Sequence, residues 1–537
     1  MSSKEVADAF YTQYPLEIHD YPQRFEKIAS LCSGKVLDIA CGTGTLSKYW
    51  AGSYLGIDIS EVAIKSAREN RRKDAKFDVA DITKSIAIIS ETYDTIVLGE
   101  FLEHVKDDTE IFKNLEGWSK IGTKWIISVP NGDRIPDPDH VRMFTVPELR
   151  KKLSIFGRVK FYNWHGAQGR IMCSVEVGKF NEPYIGLALM AWNEEKGLER
   201  AILSCLDLVD EIVISIDTKT TDKSREIAKR YADTYKEHKW KNDFSGARNW
   251  THTGMKSQWI LFLDGHEYIS EYPDIYGKLS PDQDGYMIKV VMENGGHFFY
   301  PRIYKNGIQF KNRIHNLIQT EKVQRIPNFT IIHDRIHGLA PEQREARNKQ
   351  RARMMPWIFT WNLIKNPNDT RSRYYLARYY QDAKKWNVAI RHYVLYLEKS
   401  TNEIEAFQAS YQAHICALAM NNEKRALEFL EHCDRLVPMR WETMKRRGLI
   451  YIAGQKWPQA IINLAGALNE MPDVPFDSPE PKNDGETLER LGFAFFQIGM
   501  HKEAKEAWER ALKLNPPKSI VLLLNQRIQF LNQHKQV

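Results

Sequence analysis

The stretch VLDIACGTGTL (36–46) decides how the first third of this 537-residue chain folds. Val36 and Leu37 make a short apolar run suited to a buried strand that ends at Asp38, and Gly42 and Gly44 behind it let the backbone turn tightly. Such a turn exposes bare main chain on which a ligand can lie, at the N-terminus of the helix expected next. A second apolar run, GIDIS (56–60), closes on Asp58, 16 positions after Gly42. A carboxylate there is placed to grip a ribose diol.

Outward from this turn, KVLDIA, SYLGIDI, YDTIVLG and KWIISVP read as strands alternating with helical stretches up to about residue 178, the pattern of a doubly wound parallel sheet. A second α/β series starts at Tyr184, after VGKFNEP, and runs to about Gly338. From Ala340 onward helical periodicity takes over. The expected division is therefore residues 1–180, 181–340 and 341–537, α/β followed by all-α. Within the last part WNVAIRHYVLYL (386–397), NEKRALEFLEHC (422–433), WPQAIINLAGAL (457–468) and HKEAKEAWERALKLNP (501–516) superpose on Ala389, Ala426, Ala460 and Ala504. The spacings are 37, 34 and 44 residues, the longest holding the insert DVPFDSPEPKND (473–484). A period near ~34 with small residues where helices cross resembles tetratricopeptide repeats. That resemblance implies a helical solenoid with a surface for a protein partner or self-association, and no chemistry.

Composition excludes several classes. At 43 % hydrophobic and 27 % charged, the chain matches neither disordered nor fibrous protein. No apolar run reaches the ~20 residues of a membrane helix, and MSSKEVADAF lacks a signal-peptide core, so a cytoplasmic protein is expected. The cysteines, Cys32, Cys41, Cys173, Cys205, Cys416 and Cys433, form no CxxC pair and suggest neither a disulfide frame nor a zinc site. A net charge of +7 favours polyanionic partners weakly. Nucleic acid rests on that basicity alone, because no aromatic-basic stripe accompanies it.

The spacing DxxCGTG, without the third glycine of a dinucleotide fingerprint, resembles class I S-adenosylmethionine-dependent methyltransferases. FDVADI (77–82) and YDTIVLGEFLEHV (93–105) extend the likeness, the latter being similar to the fourth-strand segment of ubiquinone-biosynthesis methyltransferases. The resemblance covers residues 20–178 and implies a Rossmann-like domain. It places S-adenosylmethionine on Asp38, Gly42, Gly44 and Asp58, with Asp81 and Ile82 flanking the adenine. Methyl transfer is an in-line displacement that needs a base only when the acceptor is protonated. His104 and His140 are the candidate bases. Glu100 and Glu103 could hold a metal or the acceptor, or one could cap a helix.

The segment MAWNEEKGLERAILSCLDLVDEIVISIDTKTTD (190–222) joins a strand, a helix, a second strand and an acidic turn. It resembles the nucleotide-binding half of family 2 glycosyltransferases with the A-type fold, over residues 184–338. The nucleotide then falls to Trp192, Asn193, Glu194 and Asp217, although Lys219 stands where the family has glycine. WKNDFSGARNW (240–250) matches the family's DFSAARN, bringing Asp243 and Arg248 to the base and diphosphate. Asp264-Gly265-His266-Glu267 replaces the family's DADE. Asp264 as a hard ligand and His266 as a borderline one suit Mn²⁺, with Mg²⁺ as the alternative. Glu267 is not expected to substitute, because neighbouring strand residues face opposite ways. In FFYPRIYKNGIQFKNRIHNLI (298–318) relatives read RIHE, whereas this chain has Asn316, an amide that takes no proton. The base role passes to His315, to His333 and Asp334, or to a residue elsewhere, while Arg302 and Arg313 are placed to neutralise the departing diphosphate.

Together these readings predict a bifunctional enzyme that transfers a methyl group from S-adenosylmethionine and a sugar from a nucleotide-sugar, a UDP-sugar first among donors, to a glycan or glycoconjugate. Two alternatives stand beside it. One is a glycosyltransferase of a peptide or modified DNA base with an accessory methyltransferase domain, and the other an assembly scaffold with decayed catalytic domains.

Overall fold

The computed structural model describes residues 3–13, 22–84, 91–132, 134–135, 137–163, 169–179, 182–293, 296–313, 317–334, 341–469 and 482–533. The chain divides into two compact units, Met1–Gly338 and Leu339–Val537.

The first unit holds two large sheets. One contains β1 (Val36–Ile39), β2 (Tyr54–Asp58), β3 (Lys76–Val79), β4 (Thr95–Gly99), β5 (Lys124–Pro130), β6 (Gly157–Tyr162) and β7 (Arg170–Val177), in the order β3-β2-β1-β4-β5-β7-β6. β1 to β5 pair in parallel, and β7 and β6 run antiparallel at one edge. Strand order reverses between β1 and β4, which opens a crevice at their carboxyl ends. One sequence expectation is corrected here. The glycine turn leads into a four-residue 3₁₀ turn, Thr45–Lys48, and not a full helix. Ser47 Oγ donates back to the Gly44 carbonyl at 2.7 Å, a local bond that competes with helix propagation.

The other sheet contains β8 (Ile185–Ala191), β9 (Glu211–Asp217), β10 (Thr234–His238), β11 (Trp259–Asp264), β12 (Glu267–Glu271), β13 (Gly285–Met292), β14 (His297–Lys305) and β17 (Val323–His333). The two-residue strands β15 (Phe310–Lys311) and β16 (Leu317–Ile318) pair separately. The large-sheet order is β10-β9-β8-β11-β14-β13-β17-β12, parallel from β10 to β11 and mixed beyond. Its switch point lies between β8 and β11. β8, β9 and β11 are almost wholly buried apolar runs, as a parallel sheet covered on both faces requires.

One continuous apolar core runs through both sheets, from Leu37 and Trp125 to Leu187, Leu261 and Ile331. Polar contacts tie them as well. Asn131 Nδ2 donates to Tyr231 Oη at 3.0 Å, Arg150 Nε meets Asp233 Oδ1 at 2.9 Å, and the Arg158 guanidinium lies 3.8 Å over the Tyr276 ring.

The second unit is a run of helix pairs. Thr370–Asp382 precedes Trp386–Leu397, Glu403–Ala419 precedes Glu423–Leu436, Trp441–Ala453 precedes Trp457–Ala467, and Asp484–Gln497 precedes His501–Leu512. Ala389, Ala426, Ala460 and Ala504 each sit on the second helix of a pair, fully buried, where no larger side chain would let the helices approach. Asp369, Asn402, Asn422 and Asn483 cap helices by accepting from the backbone three residues on. The insert's residues 473–481 lie outside the described residues. Among the described residues no helix is long and apolar enough to cross a membrane.

Candidate functional sites at the two switch points

At the first switch point, β1 and β4 are each followed directly by a non-glycine residue in the left-handed region, Ala40 and Glu100, both at φ 53°. Backbone held this way is strained and concentrates at functional sites. Gly42 and Gly44 also have positive φ, and a Cβ on Gly42 would come within 2.6 Å of the Tyr11 hydroxyl. Asp58, at the end of β2, accepts from the Gly42 amide at 2.9 Å and the Ser60 amide at 2.9 Å, so its carboxylate braces the glycine turn. Asp38 accepts from the Tyr54 hydroxyl at 2.6 Å. Burial pushes Asp38 up to about 7, against the opposing pull of Tyr54 and Arg24. Asp81 follows β3 and accepts from Thr83, and Ile82 beside it is buried at 6 % exposure.

The segment after β4 carries Glu100, Glu103 and His104. Glu100 accepts from Arg170 Nε at 2.9 Å and faces Arg24 at 3.9 Å. Glu103 is buried, and that burial, reinforced by Glu100, pushes its carboxyl up to about 8. His104 and His140, expected as bases, are brought together with ring centroids 5.0 Å apart.

At the second switch point, Asn193 after β8 is again left-handed, at φ 51°, and its Oδ1 accepts from the Thr221 amide at 2.8 Å. Glu194 donates its amide to Ser224 Oγ at 2.8 Å, and its carbonyl accepts from the Gly197 and Leu198 amides at 3.0 and 2.8 Å. Trp192 is 41 % exposed at the mouth. Asp217 accepts from the Lys219 amide at 2.7 Å, so the turn closes with lysine in the glycine position. Asp243 caps the helix Phe244–His252 through the Gly246 amide at 2.9 Å and lies 3.7 Å from Arg313. That helix delivers Arg248, whose Nη2 reaches both oxygens of Asp264. Gly265 is required by crowding, since a Cβ there would lie 2.8 Å from that of Ala191.

Behind Asp264 the chain turns into a buried ion cluster. Glu267 accepts from Arg302 Nη2 at 2.6 Å, faces His333 Nδ1 at 3.0 Å and accepts the Asp264 amide at 2.9 Å. Burial alone would raise its pKa, yet Arg302 and His333 hold Glu267 well below the usual carboxylate range. The cluster locates several expected site residues. Arg302, expected at the diphosphate, is buried at 6 % exposure against Glu267. His333 is turned to Glu267, and Asp334 is engaged by Arg200 at 2.7 Å. His266 Nδ1 stands 3.4 Å from Glu194 Oε1. His315 and Asn316 lie outside the described residues.

Residues 33–156 match the family model for a methyltransferase domain, residues 187–349 that for glycosyl transferase family 2, and residues 485–518 that for the tetratricopeptide repeat. The chain joins two transferase domains to tetratricopeptide repeats. Its glycosyltransferase part is 26 % identical over 246 residues to the SPbeta prophage-derived glycosyltransferase SunS of Bacillus subtilis, covering 43 % of this chain and 56 % of that protein. The methyltransferase part is 34 % identical over 110 residues to phosphoethanolamine N-methyltransferase 1 of Triticum aestivum, covering 19 % of this chain and 22 % of that one. It is also 34 % identical over 89 residues to a ubiquinone biosynthesis O-methyltransferase of Thiobacillus denitrificans, covering 16 % and 38 %. The chain thus spans about half the length of the glycosyltransferase it matches and under a quarter of the wheat methyltransferase. Among solved structures, that of MamA is 17 % identical over 32 % of this chain and 91 % of its own, at a TM-score of 0.27.

Three residues of the methyltransferase domain escaped the sequence reading. Tyr11 and Arg24 come from helices that precede the glycine turn, and Arg170 from the antiparallel strand β7. Arg24 stands within electrostatic reach of Asp38, Glu100 and Glu103. The pairs 54/38, 170/100 and 302/267 in the two domains had no local motif to announce them.

Proposed function

We propose that the chain transfers a methyl group from S-adenosylmethionine at its first switch point and a sugar from a nucleotide-sugar, a UDP-sugar first among donors, at its second, in the building of a glycan or glycoconjugate. One observation carries the reading: each switch point keeps a carboxylate at the strand end that its chemistry requires, Asp58 braced on Gly42 and Asp264 at the end of β11.

In the methyltransferase domain Asp58 would hold the ribose and the glycine turn the methionine end, while Asp81 and Ile82 border the adenine. Strained Ala40 and Glu100 hold the crevice in shape before the donor arrives, which removes ordering cost from the reaction. In the glycosyltransferase domain Asn193 and Asp217 fix the loops under the nucleotide, and Asp243 with Arg313 flanks the base and diphosphate. The donor set of Asp264 and His266, one hard oxygen and one borderline nitrogen, fits Mn²⁺, which would neutralise the diphosphate. Arg248 serves as Asp264's cation otherwise. The repeats supply a surface for a protein partner or a second copy. Incubation with a panel of nucleotide-sugars and Mn²⁺, read as nucleotide release, needs no acceptor; together with calorimetry of S-adenosylmethionine it tests both halves. Absence of release with every donor would overturn the glycosyl-transfer half, and absence of S-adenosylmethionine binding the other.

A further inference from the structure

In the acidic turn after β9, Lys219 stands where a glycine would give the backbone its freedom, and it is not among the residues held at positive φ. The turn 217–220 takes its shape from outside itself. Arg225, on the helix Ser224–Tyr231, donates from Nη2 to the Thr218 carbonyl at 2.8 Å and to that of Asp217 at 3.4 Å, and from Nη1 to the Thr220 carbonyl. Its Nε meets Glu237 Oε1 on β10 at 3.3 Å. One guanidinium thus gathers three carbonyls of one turn and is itself anchored on a second strand.

The amides around and beyond the turn are bound to the loop after β8. Thr221 donates to Asn193 Oδ1 at 2.8 Å and Lys223 to Glu195 Oε2 at 3.1 Å, while Asp222 Oδ2 and Ser224 Oγ accept the amides of Glu195 and Glu194 at 3.0 and 2.8 Å. These four bonds sew residues 193–195 to 221–224, and none of them uses Asp264 or His266. The turn therefore has both of its backbone polarities accounted for, carbonyls by Arg225 and amides by the neighbouring loop. Charge follows the same logic. Carbonyl oxygens drawn together beside the Asp217 carboxylate make a negative focus that repels phosphates, and the guanidinium offsets it.

We propose that Arg225 is a positioning residue for the donor's nucleotide, holding the turn that presents Asp217 and supplying through side-chain hydrogen bonds the shape that glycine allows through backbone freedom. The role rests on the sugar-nucleotide reading of the second switch point. Nε, Nη1 and Nη2 are all engaged by protein, so Arg225 acts on the nucleotide through the turn. Lysine cannot take its place, because an ammonium is a point donor and does not span the three carbonyls and Glu237 as a planar fork does.

The test is calorimetry of the full-length chain with UDP, ADP, GDP, CDP and dTDP in the presence of Mn²⁺, followed by donor KM and kcat of nucleotide release for the base that binds. Arg225→Gln and Arg225→Lys should each weaken that diphosphate and raise the donor KM by about 10- to 100-fold, the worth of one charge-assisted hydrogen bond. The kcat at saturating donor and the half-activating Mn²⁺ concentration should stay native, as should the near-ultraviolet circular dichroism. Glu237→Gln, at a side chain 45 % exposed, loosens Arg225 without removing it and should raise KM by a smaller factor. Native affinity in both Arg225 variants, full rescue by lysine, or a loss carried by kcat in place of KM overturns the role. Should the Arg225 variants lose the native spectrum, a native KM in Glu237→Gln overturns it instead. A native chain that binds none of the five diphosphates overturns the sugar-nucleotide reading, and the proposal with it.

Discussion

Nη2 of Arg248 lies 2.9 and 3.1 Å from the two carboxylate oxygens of Asp264, so a single guanidinium nitrogen spans the whole anion. Both groups are buried, with side-chain exposures of 11 % and 15 %. Removing one partner of such a pair leaves the other charged and desolvated. Arg248→Met is therefore expected to cost about 3–5 kcal/mol in chemical denaturation. Mn²⁺ should restore more stability to this variant than to the native chain, because the ion then supplies the missing positive charge. An unaltered midpoint in Arg248→Met would show that Asp264 is satisfied by something else.

Asp264→Ala should abolish Mn²⁺-supported nucleotide release. His266→Asp replaces a borderline nitrogen by a hard oxygen, and should keep turnover while raising the effectiveness of Mg²⁺ relative to Mn²⁺. Rates measured with each ion decide the matter. Turnover that is indifferent to a chelator would make 264–266 a structural turn.

Asp58 accepts two backbone amides and would face the ribose, so its charge matters twice. Asp58→Asn should weaken S-adenosylmethionine by about 1.5–3 kcal/mol, the value of one charge-assisted hydrogen bond. Calorimetry returning the native affinity would contradict the ribose assignment.

Asp38 gives a pH signature. Its carboxyl, ordinarily near 3.8, is pushed up to about 7 by burial. Between those values the folded chain keeps a proton that the unfolded chain has released. Its contribution to stability is complete below the lower value and is lost as pH rises through the upper one, at most about 1.4 kcal/mol per pH unit. Denaturation midpoints of the native chain and Asp38→Asn, compared from pH 4 to 8, should converge at the acid end and diverge in favour of the variant at the alkaline end. Parallel curves would place the titration elsewhere.

In the repeats, a Cβ at Gly492 would fall 2.4 Å from Trp508 Nε1 and 3.0 Å from the Ala504 carbonyl. Gly492→Ala should destabilise this unit by about 1–3 kcal/mol through overpacking. Since the repeats form their own compact unit, S-adenosylmethionine affinity should stay native; a parallel loss would link the two.

What could be read from sequence was what sits close along the chain. The glycine turn with Asp58, the run WNEE after an apolar strand, and the four alanines each carry their meaning within a few dozen residues. Partnership across strands does not. Period-two alternation says that Glu267 and Arg302 point inward or outward, yet only the pairing of β12, β17, β13 and β14 brings them together. Glu103 was visible as a residue type; that its carboxyl is buried without a hydrogen-bond partner is a property of the fold, which no motif encodes. The helix expected after Gly44 shrank to a 3₁₀ turn because the hydroxyl of Ser47 bonds locally.

The single apolar core shared by the two large sheets has a consequence for anyone dividing the gene. A cut near residue 180 would not release two independent enzymes but bare the greasy seam along which Arg150, Arg158 and Tyr231 now hold the halves. The natural place for scissors is after Gly338, where one compact unit ends and the next begins. The two transferase domains in the first 338 residues are thus inherited, expressed and lost together.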